Sequence, residues 1–255
     1  MKTLRTLGLI ALTAFGFTAQ AQTADEILDN YIENIGGAEA LGALKGVKID
    51  AKVNQQGMEI PLEIYQFADG RQMTVIKFQG TEIKQGVFDG ETLWSTNFMT
   101  MKPEKSDAET TANFKLESND FPDSFLNYKD KGYVVELVGT ETVEGTETFK
   151  IKLVREPITI DGETKEDVRF YYFDTESFVP IAMESEIHQG PMKGQSQYIT
   201  FSDYQEVDGL YFPFSMTQGL KNGDSQPIVM ESISLNPEVD PAAFAYPETV
   251  TGTQD

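Results

Sequence analysis

Cysteine is absent from the 255 residues, and histidine and tryptophan occur once each. Without cysteine the chain forms no disulfide and offers neither a thiol nucleophile nor a thiolate metal ligand. The single imidazole, His188, is the only candidate for histidine-dependent catalysis. Basic residues are also scarce, with 20 Lys and Arg against 41 Asp and Glu, and the resulting net charge of −21 argues against a nucleic-acid-binding protein.

Motifs of common catalytic sites are missing as well. The sequence holds no Gly-x-Ser-x-Gly elbow, phosphate-binding loop, dinucleotide fingerprint or calcium loop. Glu184, Glu186 and His188 alternate along a predicted strand, so they share one face and form a candidate metal or acid-base cluster. A solvated strand face explains the same pattern, because a zinc site usually offers more than one histidine. We therefore predict no catalytic residue, metal or cofactor, and a hydrolase is the weakest alternative.

A single long apolar run lies near the N terminus. Lys2 and Arg5 precede the apolar residues 7–15, and Ala19-Gln20-Ala21 follows them, which is typical of a secretory signal cleaved after Ala21. The run is shorter than the roughly 20 residues that span a bilayer. Because no cysteine follows the cleavage region, a lipid-modified N terminus is excluded. We predict a signal peptide at residues 1–21 and an exported single domain at residues 22–255.

Hydrophobic periodicity predicts a mainly β chain with a few helices. Thr23 and Glu26 form a capping box before an amphipathic helix that ends at Gly36-Gly37, and a second short helix follows to residue 44. From residue 47 the period is two, and X-Gly turns divide residues 47–94 into a meander of about five strands. Residues 95–132 are irregular apart from a predicted short helix at 119–128, and strand signals resume from residue 133 to 235.

Aliphatic and methionine side chains on the predicted strands are candidates for a ligand-binding surface. Methionine suits a surface that accepts flexible apolar chains. We predict that one face of adjacent strands carries Met58, Ile60, Leu62, Ile64, Met73, Val75, Ile83 and Val87. A second cluster is predicted to gate the mouth of a cavity and consists of Trp94, Phe98, Met99 and Met101. The same residues could equally fill a core. On the ligand interpretation, Trp94→Ala and Met73→Glu reduce lipid uptake and leave the fold intact.

Several segments carry a resemblance to a known family. They are residues 31–41 (YIENIGGAEAL), 88–94 (FDGETLW), 139–145 (GTETVEG), 203–213 (DYQEVDGLYFP) and 233–244 (ISLNPEVDPAAF). With the signal peptide and the strand meander, these segments resemble the outer-membrane lipoprotein-sorting proteins of Gram-negative bacteria, the periplasmic lipoprotein-carrier (LolA-like) family. The resemblance implies a single unclosed antiparallel β-barrel of about eleven strands, with helices covering the opening and an apolar cavity for acyl chains.

The function implied by this resemblance is that of a soluble periplasmic carrier. It would bind acyl chains of lipoproteins or lipids for transfer toward the outer membrane, act as a monomer, and meet sorting components of the inner and outer membranes. The alternative is a non-catalytic envelope interaction protein that keeps the fold but fills its cavity with side chains. A connected apolar cavity under the N-terminal helix distinguishes the two.

Overall fold

A computed structural model describes residues 22–55 and 57–248. The predicted signal peptide lies outside the described residues. The helices are α1 (Ala24–Asn34), α2 (Ala38–Gly42) and α3 (Ala108–Ser118), and a 3-10 turn follows at Pro241–Ala243. The strands are β1 (Gly46–Gln55), β2 (Met58–Phe67), β3 (Gln72–Phe78), β4 (Thr81–Phe88), β5 (Leu93–Thr96), β6 (Pro103–Lys105), β7 (Val134–Val143), β8 (Thr146–Val154), β9 (Ile158–Ile160), β10 (Glu163–Lys165), β11 (Val168–Asp174), β12 (Pro180–Glu186), β13 (Ser196–Val207), β14 (Leu210–Leu220) and β15 (Ser225–Leu235).

Thirteen strands form one antiparallel sheet in the order β6-β5-β4-β3-β2-β1-β15-β14-β13-β12-β11-β8-β7, and β9 and β10 form a separate hairpin. Within residues 22–55 and 57–248, no pairing joins the edge strands β6 and β7, so the sheet is unclosed. The prediction of an unclosed antiparallel sheet with a few helices is confirmed, and the sheet has thirteen strands where the resemblance implied about eleven.

The first helix begins and ends where the sequence predicts. The Thr23 hydroxyl accepts a hydrogen bond from the Glu26 amide at 3.2 Å, and the Glu26 carboxylate accepts one from the Thr23 amide at 2.8 Å. After α1 the chain passes Gly36, whose φ is +121°, and an added Cβ there would lie 2.4 Å from Leu210 Cδ2. Only glycine permits this approach between the end of α1 and the β13–β14 turn.

The main core lies between α1 and one face of the sheet, which we call the inner face. Ile27, Leu28 and Tyr31 of α1 are buried in the same cluster as Ile151 of β8 and Phe173 of β11. The i, i+1, i+4 spacing of the α1 residues gives the helix one apolar stripe, and the two-residue period of the strands aims alternate side chains at it. The helix therefore covers the part of the inner face that the neighbouring strands β8 and β11 form.

The opposite, outer face carries ion pairs on its central strands. Glu63 lies 2.8 Å from Lys77 and 3.4 Å from Lys48, and Lys52 lies 2.6 Å from Glu231. Farther along the sheet the outer face is covered by the C-terminal segment, residues 236–248, whose Phe244 is fully buried. The sheet thus has a charged outer face, partly covered by the C-terminal segment, and an apolar inner face.

Candidate functional site: an apolar inner face and a capped cavity

Strand register shows which side chains share the inner face. Starting from Ile151, directly opposite residues on successive strands are Tyr171, Met183 and Ile199. On the central strands the corresponding pairs are Met216–Ile228, Ile228–Val53 and Val53–Ile60. Because directly opposite residues lie on one side of a sheet, apolar side chains continue along the inner face well beyond the part that α1 covers.

This uncovered part of the inner face is apolar but incompletely buried. The residues of intermediate exposure are Ile49, Val53, Leu62, Ile64, Ile76, Ile199, Phe201, Met216 and Ile228. Large aliphatic side chains usually become fully buried when a core closes over them. A contiguous apolar surface left partly open is a characteristic of ligand-binding grooves and interaction sites.

A cavity of about 350 Å³ adjoins this surface under the helices. Its walls come from α1, the β2–β3 turn, the segment after α3, and strands β11 to β14. Apolar wall residues include Ile35, Leu41 and Phe201, and polar wall residues include Tyr31, Asp123 and Arg169. The volume lies within the range of about 300–1,000 Å³ found for small-molecule pockets.

A partly buried hydrogen bond lies in the cavity wall. The Tyr31 hydroxyl donates to Asp123 Oδ2 at 2.6 Å, and the Phe125 amide donates to Asp123 Oδ1 at 2.7 Å. Burial raises the pKa of Asp123 above its usual range, despite these two hydrogen bonds. Burial and then the Asp123 carboxyl raise the pKa of Tyr31 well above its ordinary value. The pair therefore holds a carboxyl group, whose charged form is disfavoured by burial, between α1 and residues 119–128.

A second contact joins α1 to the same segment at the protein surface. Asp25, in the first turn of α1, accepts hydrogen bonds from the Tyr128 hydroxyl and, at 2.6 Å, from Lys129 Nζ. The hydrogen bond from Lys129, the largest cause, lowers the pKa of Asp25. Together with Tyr31 and Asp123, these contacts hold the helix over the cavity.

Ion pairs attach the end of α3 to the sheet beside the cavity. Arg169 Nη2 lies 2.5 Å from Glu117, and Arg155 Nε lies 3.0 Å from Asp120. Burial would raise the pKa of Glu117, but Arg169 and Arg155 outweigh it and the pKa is lowered. At the other side of α3, the Phe114 ring contacts Phe88 edge-on, with centroids 5.5 Å apart. The helix thus bridges β4 and β11 across the inner side of the sheet.

Of the twelve predicted ligand-lining residues, four lie together on the inner face. They are Ile60, Leu62 and Ile64 of β2 and Ile83 of β4, linked across β3 by the pairs Leu62–Ile76 and Ile76–Ile83. Leu62 and Ile64 are partly exposed, whereas Ile60 and Ile83 are 8% and 7% exposed. These four remain candidates for contact with a ligand.

The prediction that Met73, Val75 and Val87 share that face is wrong. Register places Met73 opposite Tyr65 and Val75 opposite Glu63, one residue out of phase with Ile64. A one-residue shift moves every side chain of a strand to the other face. On β4 a bulge at Gly86, whose φ is +56°, turns Val87 outward as well.

Trp94 belongs with these outward residues and not with the mouth of a cavity. Its indole Nε1 donates to the Phe244 carbonyl at 2.9 Å, and it is buried in one cluster with Phe67, Met73, Val75, Val87 and Phe244. Strand alternation alone predicts an open apolar face here, because it does not show that the C-terminal segment covers these residues. They form instead the contact between the outer face and residues 236–248.

The other predicted gate residues project from the β5–β6 turn. Phe98, Met99 and Met101 are 62%, 94% and 46% exposed, and none of them lines the cavity under α1. Met58, at the β1–β2 hairpin, is 50% exposed. The predicted cluster with Trp94 is therefore wrong, because Trp94 turns under the C-terminal segment while the turn residues project away from the sheet.

Several residues of the site were missed by sequence reasoning. The apolar positions Ile199, Met216 and Ile228 lie on strands far from β2 in sequence, and their common face follows from the pairing of β1 with β15. Arg71 and Arg169 also line the cavity. Because the chain uses lysine for most of its basic residues, its few arginines were a signal that could have identified these two positions. Arginine is preferred where a buried basic group contacts an anion.

The three residues considered for hydrolysis are separated from the cavity. Glu184 lies 2.6 Å from Lys221 and accepts a hydrogen bond from Tyr172, which is buried in a separate cluster with Val143 and Ala182. His188 Nδ1 lies 3.8 Å from Glu186, beyond the end of β12. Across residues 22–55 and 57–248, no group of three His, Asp or Glu side chains is placed to hold a metal ion.

Comparison with known proteins gives a clear result for the fold. No family model matches the sequence. No curated protein matches it either. A solved LolA superfamily protein from Nitrosomonas europaea superposes with a TM-score of 0.53 at 13% identity, covering 88% of this chain and 98% of that one. The chain has a LolA-like fold.

Two further structures support this assignment. A DUF1329 family protein from Desulfovibrio piger has a TM-score of 0.53 at 13% identity and covers 87% of this chain and 97% of that one. A domain described as an outer membrane lipoprotein-sorting protein domain, from Vibrio parahaemolyticus, has a TM-score of 0.50 at 12% identity, covering 85% and 97%. None of the helices in the described part of this chain is long and apolar enough to cross a membrane.

Proposed function

We propose that this protein is a non-enzymatic periplasmic carrier that binds acyl chains of lipoproteins or lipids on its inner face and releases them toward the outer membrane. The observation that carries the proposal is the run of half-exposed apolar side chains from Ile64 across β1 and β15 to Met216, next to the 350 Å³ cavity. The LolA-like fold supports it.

Energetics favour an acyl chain as the occupant of this surface. Each methylene that leaves water contributes about 0.8 kcal/mol, so a chain of ten or more carbons gains enough to offset its loss of freedom. The inner face offers aliphatic side chains across its central strands, as such a chain requires. The charged outer face, with its Glu63–Lys77 and Lys52–Glu231 pairs, remains in water.

The alternative interaction protein with a filled cavity agrees less well with these features. Its cavity would be occupied by side chains, and Leu62, Ile64 and Ile228 would be fully buried. They keep an exposed fraction instead. A carrier therefore explains the open inner face, whereas a filled-core protein does not.

Lipid extraction provides the test. The full chain is expressed in a Gram-negative host, purified from the periplasmic fraction without detergent, and extracted with organic solvent for mass spectrometry. We expect co-purified lipid, and saturable uptake of a fluorescent fatty acid by the delipidated protein. Absence of both results would rule out the carrier.

The location is tested on the same preparation. N-terminal sequencing should begin at Gln22, because cleavage is predicted after Ala21. Protein confined to the cytoplasm with Met1 retained would contradict the proposed periplasmic role. Crosslinking of the exported protein in intact cells should then capture sorting components of the inner and outer membranes, the partners that a carrier of this kind requires.

A further inference from the structure

Arginine is concentrated around the cavity. The sequence has four arginines, and the three beyond residue 21 are Arg71, Arg155 and Arg169. Arg71 and Arg169 line the cavity, and Arg155 is paired with Asp120, another wall residue. In a chain of net charge −21, with lysine as its usual cation, this placement is unexpected for a purely apolar pocket.

Arg155 has a structural role. Its side chain is 1% exposed, and its guanidinium lies 3.0 Å from Asp120 and 3.2 Å from Asp167. A buried guanidinium that is enclosed by carboxylates holds the fold together and has no charge to offer a ligand.

Arg71 and Arg169 differ from Arg155 in their exposure to the cavity. The buried Nε and Nη1 atoms of Arg155 also make no hydrogen bond, but they lie 3.0 and 3.2 Å from carboxylates. Within the described residues, Arg71 Nη1 and Arg169 Nε are buried and make no hydrogen bond. The two side chains are 18% and 16% exposed, so each can be reached where it lines the cavity. Unpaired buried donors are costly, and an anion that accepts from them would remove this cost.

The position of Arg71 suits such a contact. Its guanidinium carbon lies 4.9 Å from the Phe67 ring centroid and 5.2 Å from that of Phe244, which fixes the plane of the group. Its carboxylate partner, Asp69, is 2.9 Å from Nε but is 56% exposed, so water weakens this ion pair.

The neighbouring carboxyl groups compensate Arg169 more than Arg71. Arg169 Nη2 lies 2.5 Å from Glu117 and 3.6 Å from Asp167, whereas Arg71 is paired with the exposed Asp69. Asp120 is paired with Arg155 and lies 3.8 Å from Lys131, and Glu117 is shared by Arg155 and Arg169. Asp123 is hydrogen-bonded by Tyr31, and burial raises its pKa. Cations outside the wall thus compensate much of its negative charge.

We infer that the part of the cavity wall that holds Arg71 and Arg169 binds the anionic group, a carboxylate or a phosphate, of a ligand whose acyl chain lies along the inner face. Planar guanidinium groups recognise both kinds of anion through paired hydrogen bonds. The inference rests on the proposed function and narrows it from acyl chains in general to anionic amphiphiles.

Three ligands with one chain length test this inference. Dodecanoate, dodecyl phosphate and dodecan-1-ol, each below its micelle concentration, displace a fluorescent fatty acid from the delipidated protein at pH 7.5. We expect both anions, or the one that fits the site, to bind at least about tenfold more tightly than the alcohol, as charge-assisted hydrogen bonds predict. Comparison of the two anions tells whether the site prefers a carboxylate or a phosphate.

Three substitutions locate the effect. Arg71→Gln should abolish the preference for anions and leave dodecan-1-ol affinity within about twofold, whereas Arg71→Lys should restore part of it. Lys77→Gln removes the same charge from the outer face, where Lys77 is 45% exposed and paired with Glu63, and should leave all three affinities unchanged.

The outcomes separate the inference from the function on which it rests. Equal affinity of the unmodified protein for the alcohol and both anions would overturn the anionic site but leave the carrier standing. Failure of all three ligands to bind would overturn the carrier. Should Arg71→Gln fail to fold, the comparison of ligands on the unmodified protein still decides the question. Equal losses of affinity for the anions in Arg71→Gln and Lys77→Gln would refute a local site.

Discussion

Tyr31 of α1 and Asp123 of the segment after α3 are 92 residues apart in sequence and share a partly buried hydrogen bond of 2.6 Å. Asp123 is also fixed by the Phe125 amide, so the carboxyl joins two covering elements in the wall of the cavity. A buried polar pair of this kind specifies one arrangement, because either partner alone would be left unsatisfied. We therefore expect α1 and the segment after α3 to cover the cavity together and to move away from it together.

Tyr31→Phe tests the energetic weight of this bond. The substitution keeps the ring in its edge-on contacts with Phe125 and Phe173 but removes the only side-chain donor to Asp123 in the described residues. We expect a loss of about 1.5–3 kcal/mol in the free energy of unfolding at pH 7, the usual range for a hydrogen bond to a charged group.

Urea unfolding measures this loss, and Tyr211→Phe is the matched control. The Tyr211 side chain is 41% exposed and its hydroxyl lies 3.4 Å from Glu206, so its removal should change stability by less than about 0.5 kcal/mol. Equal effects of the two substitutions would contradict a special role for the Tyr31–Asp123 bond.

The raised pKa of Asp123 predicts a pH dependence of stability. A carboxyl whose pKa is higher in the folded state binds more protons there, so its contribution to stability improves as pH falls from 7 through the folded pKa. Glu117 and Asp25 have lowered pKa values and act in the opposite direction. The effect must therefore be measured as a difference between proteins.

That difference is the free energy of unfolding of the unmodified protein minus that of Asp123→Asn, from urea titrations between pH 7 and pH 4. We expect it to rise as pH falls, because the amide cannot take up the proton. A flat result for Asp123 would show that its pKa is not raised in the folded protein.

Local signals predicted α1 and the meander well, because their determinants are adjacent in sequence. The Thr23–Glu26 capping box and the alternation of β1 and β2 act within a few residues. Helix α3 was missed, and a helix at 119–128 was wrongly predicted, because the structure of these segments depends on residues that are distant in sequence. α3 has no fully buried residue, and distant groups hold it, with Asn113 hydrogen-bonded to Thr159 and Glu109 to the amides at 161–162.

The face of each strand was harder to predict than the strand itself. Alternation shows that Met73 and Val75 point the same way, but the phase relative to Ile64 depends on the β2–β3 turn. There the Phe67 amide bonds to the Arg71 carbonyl, which pairs Gln66 with Gln72 and so sends Met73 to the side of Tyr65. A turn longer or shorter by one residue would reverse this result.

This assignment changes what Trp94→Ala should do. Because the indole is 3% exposed and donates to the Phe244 carbonyl, we expect a cost of about 3–5 kcal/mol in the free energy of unfolding, and not a selective loss of lipid uptake. Met73→Glu should be similarly disruptive, since it buries a charge in the same cluster.

Thermal unfolding, together with limited proteolysis near residue 244, measures both the loss of stability and the release of the C-terminal segment. Phe98→Ala is the control, because its ring is 62% exposed and its truncation should leave the melting temperature nearly unchanged. A Trp94→Ala protein with unchanged stability and reduced lipid uptake would restore the ligand-lining role of Trp94.

Two neighbouring residues of β15 offer the sharpest test of the inner face. Ile228 is opposite Val53 and Met216 on the inner face, whereas Val229 points outward and is 51% exposed. Ile228→Glu and Val229→Glu introduce the same group one residue apart. Only the first places a charge on the proposed path of the acyl chain, where burying it against methylenes is unfavourable.

We expect Ile228→Glu to weaken binding of a fluorescent fatty acid by at least about tenfold, and Val229→Glu to leave it within about twofold, in proteins of comparable melting temperature. Because the two sites share a strand and its backbone hydrogen bonds, a general disturbance of β15 would affect both variants alike. Equal losses would therefore place the ligand elsewhere, and a loss confined to Val229→Glu would move it to the outer face. A loss confined to Ile228→Glu would require an acyl chain that lies against the inner face at β15, well beyond the part that α1 covers.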